Sequence, residues 1–242
     1  YFSGVQIKDY GGRGGLKTVN VRSLGSQHVG VYLDGIRITN AQNGQIDLGR
    51  YSLSNMESVA LYNANRNERL QSASEYASAA TVYLQTRRPD STALSVEYGT
   101  GSFGLQKLKA YLSFKNILFV DAEYQRTDGD YPFRFQSASE DTVGKRRNSD
   151  IWFYRIEAAG FYKGFTAHAY YYSSERGLPG PVVRRLSDQW DSTDRQWDRN
   201  FFVQSSYRHA WDRFSLKTNL KYAYDWLRYL HDPSPTPATK SS

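Results

Sequence analysis

The 242 residues carry 15% aromatic side chains, 20 Tyr among them, no Cys and a formal net charge of +7. Disulfides and thiolate metal centres are excluded, and no run reaches the ~18 apolar residues of a transmembrane helix. Strands that alternate lipid-facing and lumen-facing side chains keep a low mean hydropathy and stay open as a reading. Lys and Arg are interleaved with Asp and Glu, the one tight cluster being Lys145-Arg146-Arg147, so no basic stripe for nucleic acid is drawn and none is expected as a partner.

The chain opens on Tyr1 without a Met or signal segment and trails into Pro233, Pro235 and Pro237, so a fragment of a longer chain is expected. Two textures divide it near Arg87-Arg88-Pro89. Residues 1–89 are rich in Gly, Asn, Gln and Ser with short apolar runs, and read as a small α+β domain. There Thr18–Arg22 and Val29–Leu33 read as strands. Asp34-Gly35 then turns the chain into Ile36–Thr39, since Asp-Gly between apolar runs is a strong hairpin signal. Leu53–Glu57 reads as a helical turn that Ser54 or Asn55 could cap. Ser58–Tyr62 and Thr81–Thr86 complete the strands of this part.

Residues 90–242 alternate with period two in seven successive segments of roughly ten residues. Leu94, Val96 and Tyr98 oppose Ser95 and Glu97. Leu108, Ala110, Leu112 and Phe114 oppose Lys107, Lys109 and Ser113. Leu118, Val120, Ala122 and Tyr124 oppose Asp121, Glu123 and Gln125. Trp152, Tyr154, Ile156 and Ala158 oppose Arg155 and Glu157. Phe165, Ala167, Ala169 and Tyr171 oppose Thr166, His168 and Tyr170. Phe201, Val203 and Tyr207 oppose Gln204, Ser206 and Arg208. Phe214, Leu216, Leu220, Tyr222, Tyr224 and Trp226 oppose Lys217, Asn219, Lys221 and Asp225.

The links alternate too. Lys115-Asn116, Lys163-Gly164 and about His209–Arg213 are short, whereas about Arg126–Asn148 and Ser173–Arg199 are long. Gly99–Gly104 is a short turn on the long-link side. Short turns at one end and long loops at the other mark an outer-membrane barrel with the long loops outside the cell. Trp152, Trp211 and Trp226 suit its interfacial girdles. The fold class expected is mainly β: the first seven strands or so of an antiparallel transmembrane β-barrel, about 22 strands when whole, preceded by a small α+β domain. A soluble β-sandwich is the competing architecture. An open barrel edge is one that lipid cannot satisfy, so the last strand should adjoin a missing neighbour.

Three motifs carry other chemistry in other settings. Gly99-Thr100-Gly101-Ser102-Phe103-Gly104 matches G-x-G-x-x-G, with Asp121 downstream, but the preceding strand is polar on one face whereas dinucleotide-binding strands are buried on both. Gly11–Thr18 resembles a phosphate loop, yet Leu16 stands where Gly is needed before Lys17. Asp188, Asp191, Asp194 and Asp198 crowd one long loop and could hold a structural Ca²⁺ as hard oxygen ligands, although the spacing is not that of an EF-hand; a solvated acidic loop is the other reading. No cofactor is otherwise expected. The four His have no metal-ligand spacing and no G-x-S-x-G is present, so an enzyme is not expected. Arg155 and Glu157 read as lumen salt bridges.

The first part resembles the plug domain of TonB-dependent receptors. The residues that carry this are Val5-Gln6-Ile7, Gly11-Gly12, Val19-Asn20-Val21-Arg22 at the family's Ile-Arg-Gly motif, and His28–Ile36 with its valine-rich strand and Asp34-Gly35. Asp47-Leu48, Asn55-Met56-Glu57-Ser58-Val59, the closing strand Thr81–Pro89 and the first barrel turn Tyr98–Gly104 continue it. Ser23 stands where the family has Gly, Asn63–Arg66 where it has Arg-Gly-Pro, and Ala79-Ala80 where it has Gly-Gly. The plug, including Asn40–Leu48, looks most like the cobalamin-receptor branch of Bacteroidetes, and the chain lacks the Asp-Ala-Ser-Ala segment of the glycan importers.

The resemblance implies a plug over residues 1–89 and part of a barrel over 90–242, in the bacterial outer membrane with the plug in the lumen. It implies TonB-dependent import of a scarce large ligand, a corrinoid or an iron chelate such as a siderophore or haem. The partners implied are the TonB–ExbB–ExbD complex, membrane lipid and a candidate surface lipoprotein. A passive outer-membrane barrel or adhesin is the reading from another class. Arg22 matches the family Arg that locks plug to barrel. Asn40, Gln42, Asn43 and Gln45 fall at the plug apex, where amides suit a corrinoid's peripheral amides, or form an amide-rich turn. Tyr131, Phe133, Phe135, Trp190 and Trp197 in the loops could contact a large ring.

Overall fold

A computed structural model describes residues 5–9, 16–21, 25–40, 44–62, 71–136, 141–179 and 193–231. Its first strands, β1 (Val5–Asp9) and β2 (Lys17–Val21), pair as an antiparallel ribbon. Next come β3 (Val29–Leu33), β4 (Ile36–Ile38), β5 (Met56–Tyr62) and β6 (Ala80–Thr86), which form a four-stranded sheet in the order β4-β3-β6-β5. Asp34 and Gly35 turn β3 into β4 with φ of 51° and 81°. Such a turn needs left-handed backbone at both positions, which explains why Asp-Gly is so direct a signal. β3 runs parallel to β6, and the other pairs are antiparallel. Every residue of β3 is buried, as expected for a central strand covered on both faces.

Gly30 allows the closest approach in this sheet. A Cβ there would lie 2.7 Å from Ser78 Oγ and 2.9 Å from the Tyr32 ring. Ser78 follows a short α-helix, Ala73–Tyr76, and Ala79 N donates to His28 O at 3.1 Å. The helix and the 3₁₀ turn at Ser26–His28 lie outside the elements expected from pattern. The turn at Leu53–Asn55 is 3₁₀ and begins after Ser52. Glu57, expected within it, belongs to β5.

Beyond Pro89 the chain becomes a meander. β7 (Ala93–Gly101), β8 (Leu105–Phe114) and β9 (Leu118–Thr127) are followed by a separate hairpin, β10 (Pro132–Gln136) with β11 (Asp141–Lys145). β12 (Ile151–Tyr162), β13 (Phe165–Gly177), β14 (Arg195–Ala210) and β15 (Ser215–Leu230) complete it. The seven strands outside the hairpin form one sheet in the order β15-β14-β13-β12-β9-β8-β7, antiparallel throughout. All seven expected strands are present. Two long links are shorter than expected because β9, β13 and β14 continue into them, so residues near their ends are strand rather than loop.

Alternation sorts this sheet into two faces. The face toward the small sheet carries Phe119, Asp121, Glu123, Arg155, Glu157, His168, Tyr170, Asp198, Phe202 and Gln204, all buried. Tyr170, Tyr172 and Phe202 join Val21, Val31, Leu33, Ile38, Met56, Val82 and Leu84 in the main hydrophobic core, which therefore lies between the two sheets. On the opposite face three successive cross-strand rows carry no charged side chain. One runs Ala110, Ala122, Ile156, Tyr171, Phe201, Tyr224, the next Leu112, Val120, Ala158, Ala169, Val203, Tyr222, and the third Phe114, Leu118, Gly160, Ala167, Ser205, Leu220. Exposed Leu94, Val96, Leu220 and Tyr222 belong to this face. An uncharged outer band with a polar inner face is the arrangement of a membrane-spanning barrel wall.

Candidate functional site at the interface of the two sheets

Asp47 organises the side of the small sheet that meets the wall. Its Oδ1 accepts from Lys17 N (3.0 Å) at the start of β2 and from Gly49 N (2.9 Å), capping the 3₁₀ turn Leu48–Arg50. A side-chain oxygen at that position satisfies a donor that the first turn leaves unpaired. The turn presents Arg50 to the wall. The Arg50 guanidinium contacts Asp47 Oδ2 at 3.3 Å and Asp198 Oδ1 of β14 at 3.1 Å, and lies 5.2 Å from the centre of the Tyr172 ring. Burial opposes its charge, but Asp198 first, then Tyr172 and Asp47, outweigh burial and hold its pKa above the ordinary arginine value. Arg50 also accepts through its backbone: Tyr170 OH donates to Arg50 O at 2.8 Å and Arg155 at 3.1 Å. Asp198 receives a second cation, Arg176, at 3.1 Å, and Gln196 Nε2 at 2.8 Å.

A second contact lies on the next stretch of wall. Asn55 Nδ2 donates to Glu157 Oε2 at 2.9 Å. The other oxygen of Glu157 faces His168 Nε2 at 3.1 Å. His168 Nδ1 lies 3.3 Å from Thr86 Oγ1 and 3.5 Å from Asp34 Oδ2. Asp34 in turn accepts from the backbone N and the hydroxyl of Thr86, at 2.9 and 2.8 Å. Gln204 Nε2 donates to Leu33 O (3.0 Å) and Lys221 Nζ to Arg37 O (2.9 Å), so the β3–β4 hairpin is held through its carbonyls.

Within the wall, acids and bases neutralise one another. Lys107 pairs with Glu123 at 3.1 Å, Lys109 with Asp121 at 3.2 Å, and Arg155 with Glu123. Lys109 Nζ also donates to Ser54 Oγ at 2.6 Å. Arg155 and Glu157 share the wall face toward the small sheet, though each is paired elsewhere rather than with the other. Polar contacts of this kind flank the hydrophobic core between the two sheets, and each, at ~1.5–3 kcal/mol for a hydrogen bond to a charged group, can be exchanged singly for water.

The expected site residues fall in several places. Asn40 borders a cleft of about 20 Å³ between the small sheet and β14–β15, lined by Ile46, Arg50 and Asp225 among others; Gln45 is not part of its lining. That volume accommodates about one water. Asn40 Nδ2 donates to Gln45 O at 3.1 Å and Gly44 N to Asn40 O at 3.2 Å, closing the loop on itself. Tyr131 packs edge-on to Phe103, 6.2 Å between ring centres, and Phe133 lies in β10; Phe135 is in the same strand. Two residues are corrected. Trp197 and Asp198 belong to β14, not to a loop, because the strand begins at Arg195. Asp198 faces inward to two arginines, and Trp197 faces outward beneath Arg228. Asp194 accepts from Tyr229 OH at 2.6 Å and contacts His231 at 2.8 Å. Among the described residues no three acids or histidines form a metal-binding group. Arg22, Gln42, Asn43, Asp188, Trp190 and Asp191 lie outside the described residues.

Arg50 is the residue that sequence reasoning missed. The signal was the run Asp47-Leu48-Gly49-Arg50, an N-cap followed by a short turn ending in a cation. Its partner Asp198 was hidden among loop acids.

Comparison with known proteins follows this geometry. Residues 1–73 match the family model for the TonB-dependent Receptor Plug Domain, so the first part of the chain is similar to such a plug. The chain is 33% identical over 110 residues to the vitamin B12 transporter BtuB of Vibrio cholerae serotype O1, with the same figures for strains ATCC 39541, M66-2 and ATCC 39315. The match covers 44% of this chain and 17% of each relative, less than a fifth of the relatives' length. Among solved structures, the copper transporter OprC aligns over 93% of this chain and 42% of its own, with a TM-score of 0.51 and 13% identity. That likeness is one of fold, and the fold is that of a TonB-dependent receptor, seen over part of its length.

Proposed function

We propose that this chain is part of an outer-membrane receptor that imports a scarce, large ligand by TonB-dependent active transport, and that the ligand is cobalamin or a related corrinoid. The observation that carries the reading is the seating of a plug sheet, through Arg50, Asn55 and the β3–β4 hairpin, on the polar face of a wall whose other face is an uncharged band. A plug whose apolar core against the wall is ringed by exchangeable polar contacts can be displaced stepwise by a pull from the inner-membrane side, with TonB and its ExbB–ExbD complex as the source. The curated relatives at 33% identity are vitamin B12 transporters, which supports a corrinoid over an iron chelate. Ligand capture falls to the plug apex, with Asn40, Gln42, Asn43 and Gln45, and to the loops around Tyr131 and Phe133. A surface lipoprotein is a further partner on this reading.

The test uses the full-length gene. Deletion should abolish uptake of labelled cyanocobalamin at limiting concentration, and loss of TonB should do the same. Rescue of growth by iron in place of B12 would move the ligand to a siderophore or haem. Uptake that persists without TonB would replace import by a passive barrel.

A further inference from the structure

Beyond the three uncharged rows, toward the long links, the outward face of the wall changes character. One cross-strand row there contains Arg126, Trp152, Glu175, Trp197 and Arg228 in succession. The adjacent row places Arg199 opposite Trp226. On β14 and β15 the two rows form a square, with the arginines on one diagonal and the tryptophans on the other. Diagonal neighbours across an antiparallel pair stand ~7–8 Å apart, close enough for two long guanidinium side chains to meet on one anion.

The tryptophans orient them. The Arg199 guanidinium lies 4.9 Å from the centre of the Trp226 ring and that of Arg228 lies 5.2 Å from Trp197. Stacking uses the guanidinium face and leaves the N–H edge free to donate. The outward acids nearby are engaged: Glu175 and Asp150 by Arg195 at 2.9 and 2.8 Å, and Asp128 lies 3.7 Å from Arg126. Among the described residues no carboxylate pairs with Arg199 or Arg228. Two like charges on one diagonal repel, and a shared anion removes that repulsion while meeting the bidentate geometry that arginine offers to phosphate.

We infer that Arg199 and Arg228 clamp a phosphate group of a lipid in the membrane leaflet on the long-link side, with Trp197 and Trp226 packing against its non-phosphate part. The inference rests on the outer face spanning a membrane, as proposed above. At the boundary of the apolar band a lipid headgroup is the anion held at fixed height, and aromatic side chains favour the same level. Arg126, beside Asp128, makes a weaker contact.

The experiment uses the full-length protein refolded in detergent, with diphosphorylated lipid A, its dephosphorylated form and inorganic phosphate as probes. Native mass spectrometry reads retained lipid, and insertion into vesicles is checked separately. The expected result is that the phosphorylated glycolipid is retained at least tenfold better than the dephosphorylated one, and that Arg199→Gln with Arg228→Gln removes this preference. Inorganic phosphate should neither be retained nor compete. Equal retention of both glycolipids by the unaltered protein overturns the clamp and leaves the membrane reading standing, as does a preference that survives the double substitution. Competition by inorganic phosphate at equal concentration overturns the lipid assignment. Failure to enter vesicles overturns the membrane reading and the clamp with it.

Discussion

Arg50 of the plug and Asp198 of β14 meet at 3.1 Å, and Asp198 is simultaneously held at 3.1 Å by Arg176. The two arginines are therefore not equivalent to the acid they share. Removing the acid takes a partner from two cations at once, Arg50 keeping Asp47 at 3.3 Å, whereas removing Arg50 leaves Asp198 with Arg176. Breaking a buried pair by deleting one member costs ~3–5 kcal/mol when the other charge is stranded. Asp198→Ala should approach the lower end of that range in the stability of the refolded full-length protein, because two cations lose a partner and neither is left fully stranded. Arg50→Ala should cost about half, since only the plug side is lost. Equal losses, measured by thermal unfolding in one detergent, would mean that Arg176 does not compensate.

The contact between Asn55 and Glu157 gives a second, independent measurement. Asn55 Nδ2 is a donor to a carboxylate with almost no solvent access. Hydrogen bonds to charged groups contribute ~1.5–3 kcal/mol, so Asn55→Ala should destabilise by about that amount. Asn55→Asp should be worse, because it sets a second carboxylate against Glu157. If protease resistance of the plug falls no further in Asn55→Asp than in Asn55→Ala, the charge at Glu157 is screened and the contact is not the anchor described above.

Much of this architecture was legible in the chain because a strand's period of two needs no tertiary knowledge. Leu108 against Lys109, or Ile156 against Arg155, fixes a face whatever lies across it. Asp34-Gly35 was legible for the same local reason. Arg50 was not, since its role depends on β14 arriving beside it from far along the sequence. Asp198 was misplaced because the aspartates of that region look alike in sequence, and strand pairing begins at Arg195, six residues before the clear alternation that starts at Phe201. Asn40 was read as a ligand-facing amide or as part of an amide-rich turn, and its amide nitrogen closes the loop on Gln45 O. Sequence composition identifies such amides but not their partners.

The uncharged outer rows make a prediction about depth. Ala169 lies in the middle row, between Ala158 and Val203, whereas Gln106 lies at the long-link end, opposite Arg126. An arginine facing lipid costs ~2–4 kcal/mol at the midplane and ~0–1 near the interface. Ala169→Arg should therefore lower folding stability in vesicles by about 2–4 kcal/mol, and Gln106→Arg by less than about 1. Similar costs at both positions, in a reversible denaturant titration, would show that the face does not sample a depth gradient.

The proposed ligand site at Asn43 and Gln45 gives the prediction that bears on cargo. Asn43 and Gln45 carry amides that can donate and accept at once, which matches a ligand ringed by amides. If each forms one net hydrogen bond to a corrinoid, the pair contributes about 2 kcal/mol at ~1 kcal/mol each. Asn43→Ala with Gln45→Ala should then weaken cyanocobalamin binding by roughly 30-fold. Asn40→Ala acts differently, because it releases the bond to Gln45 O that closes the loop. Its loss should fall mainly on the association rate, as the loop must be ordered on binding. Surface plasmon resonance on the full-length receptor separates the two effects. Unchanged affinity in the double variant would remove the apex from the binding site and leave the extracellular loops to carry recognition.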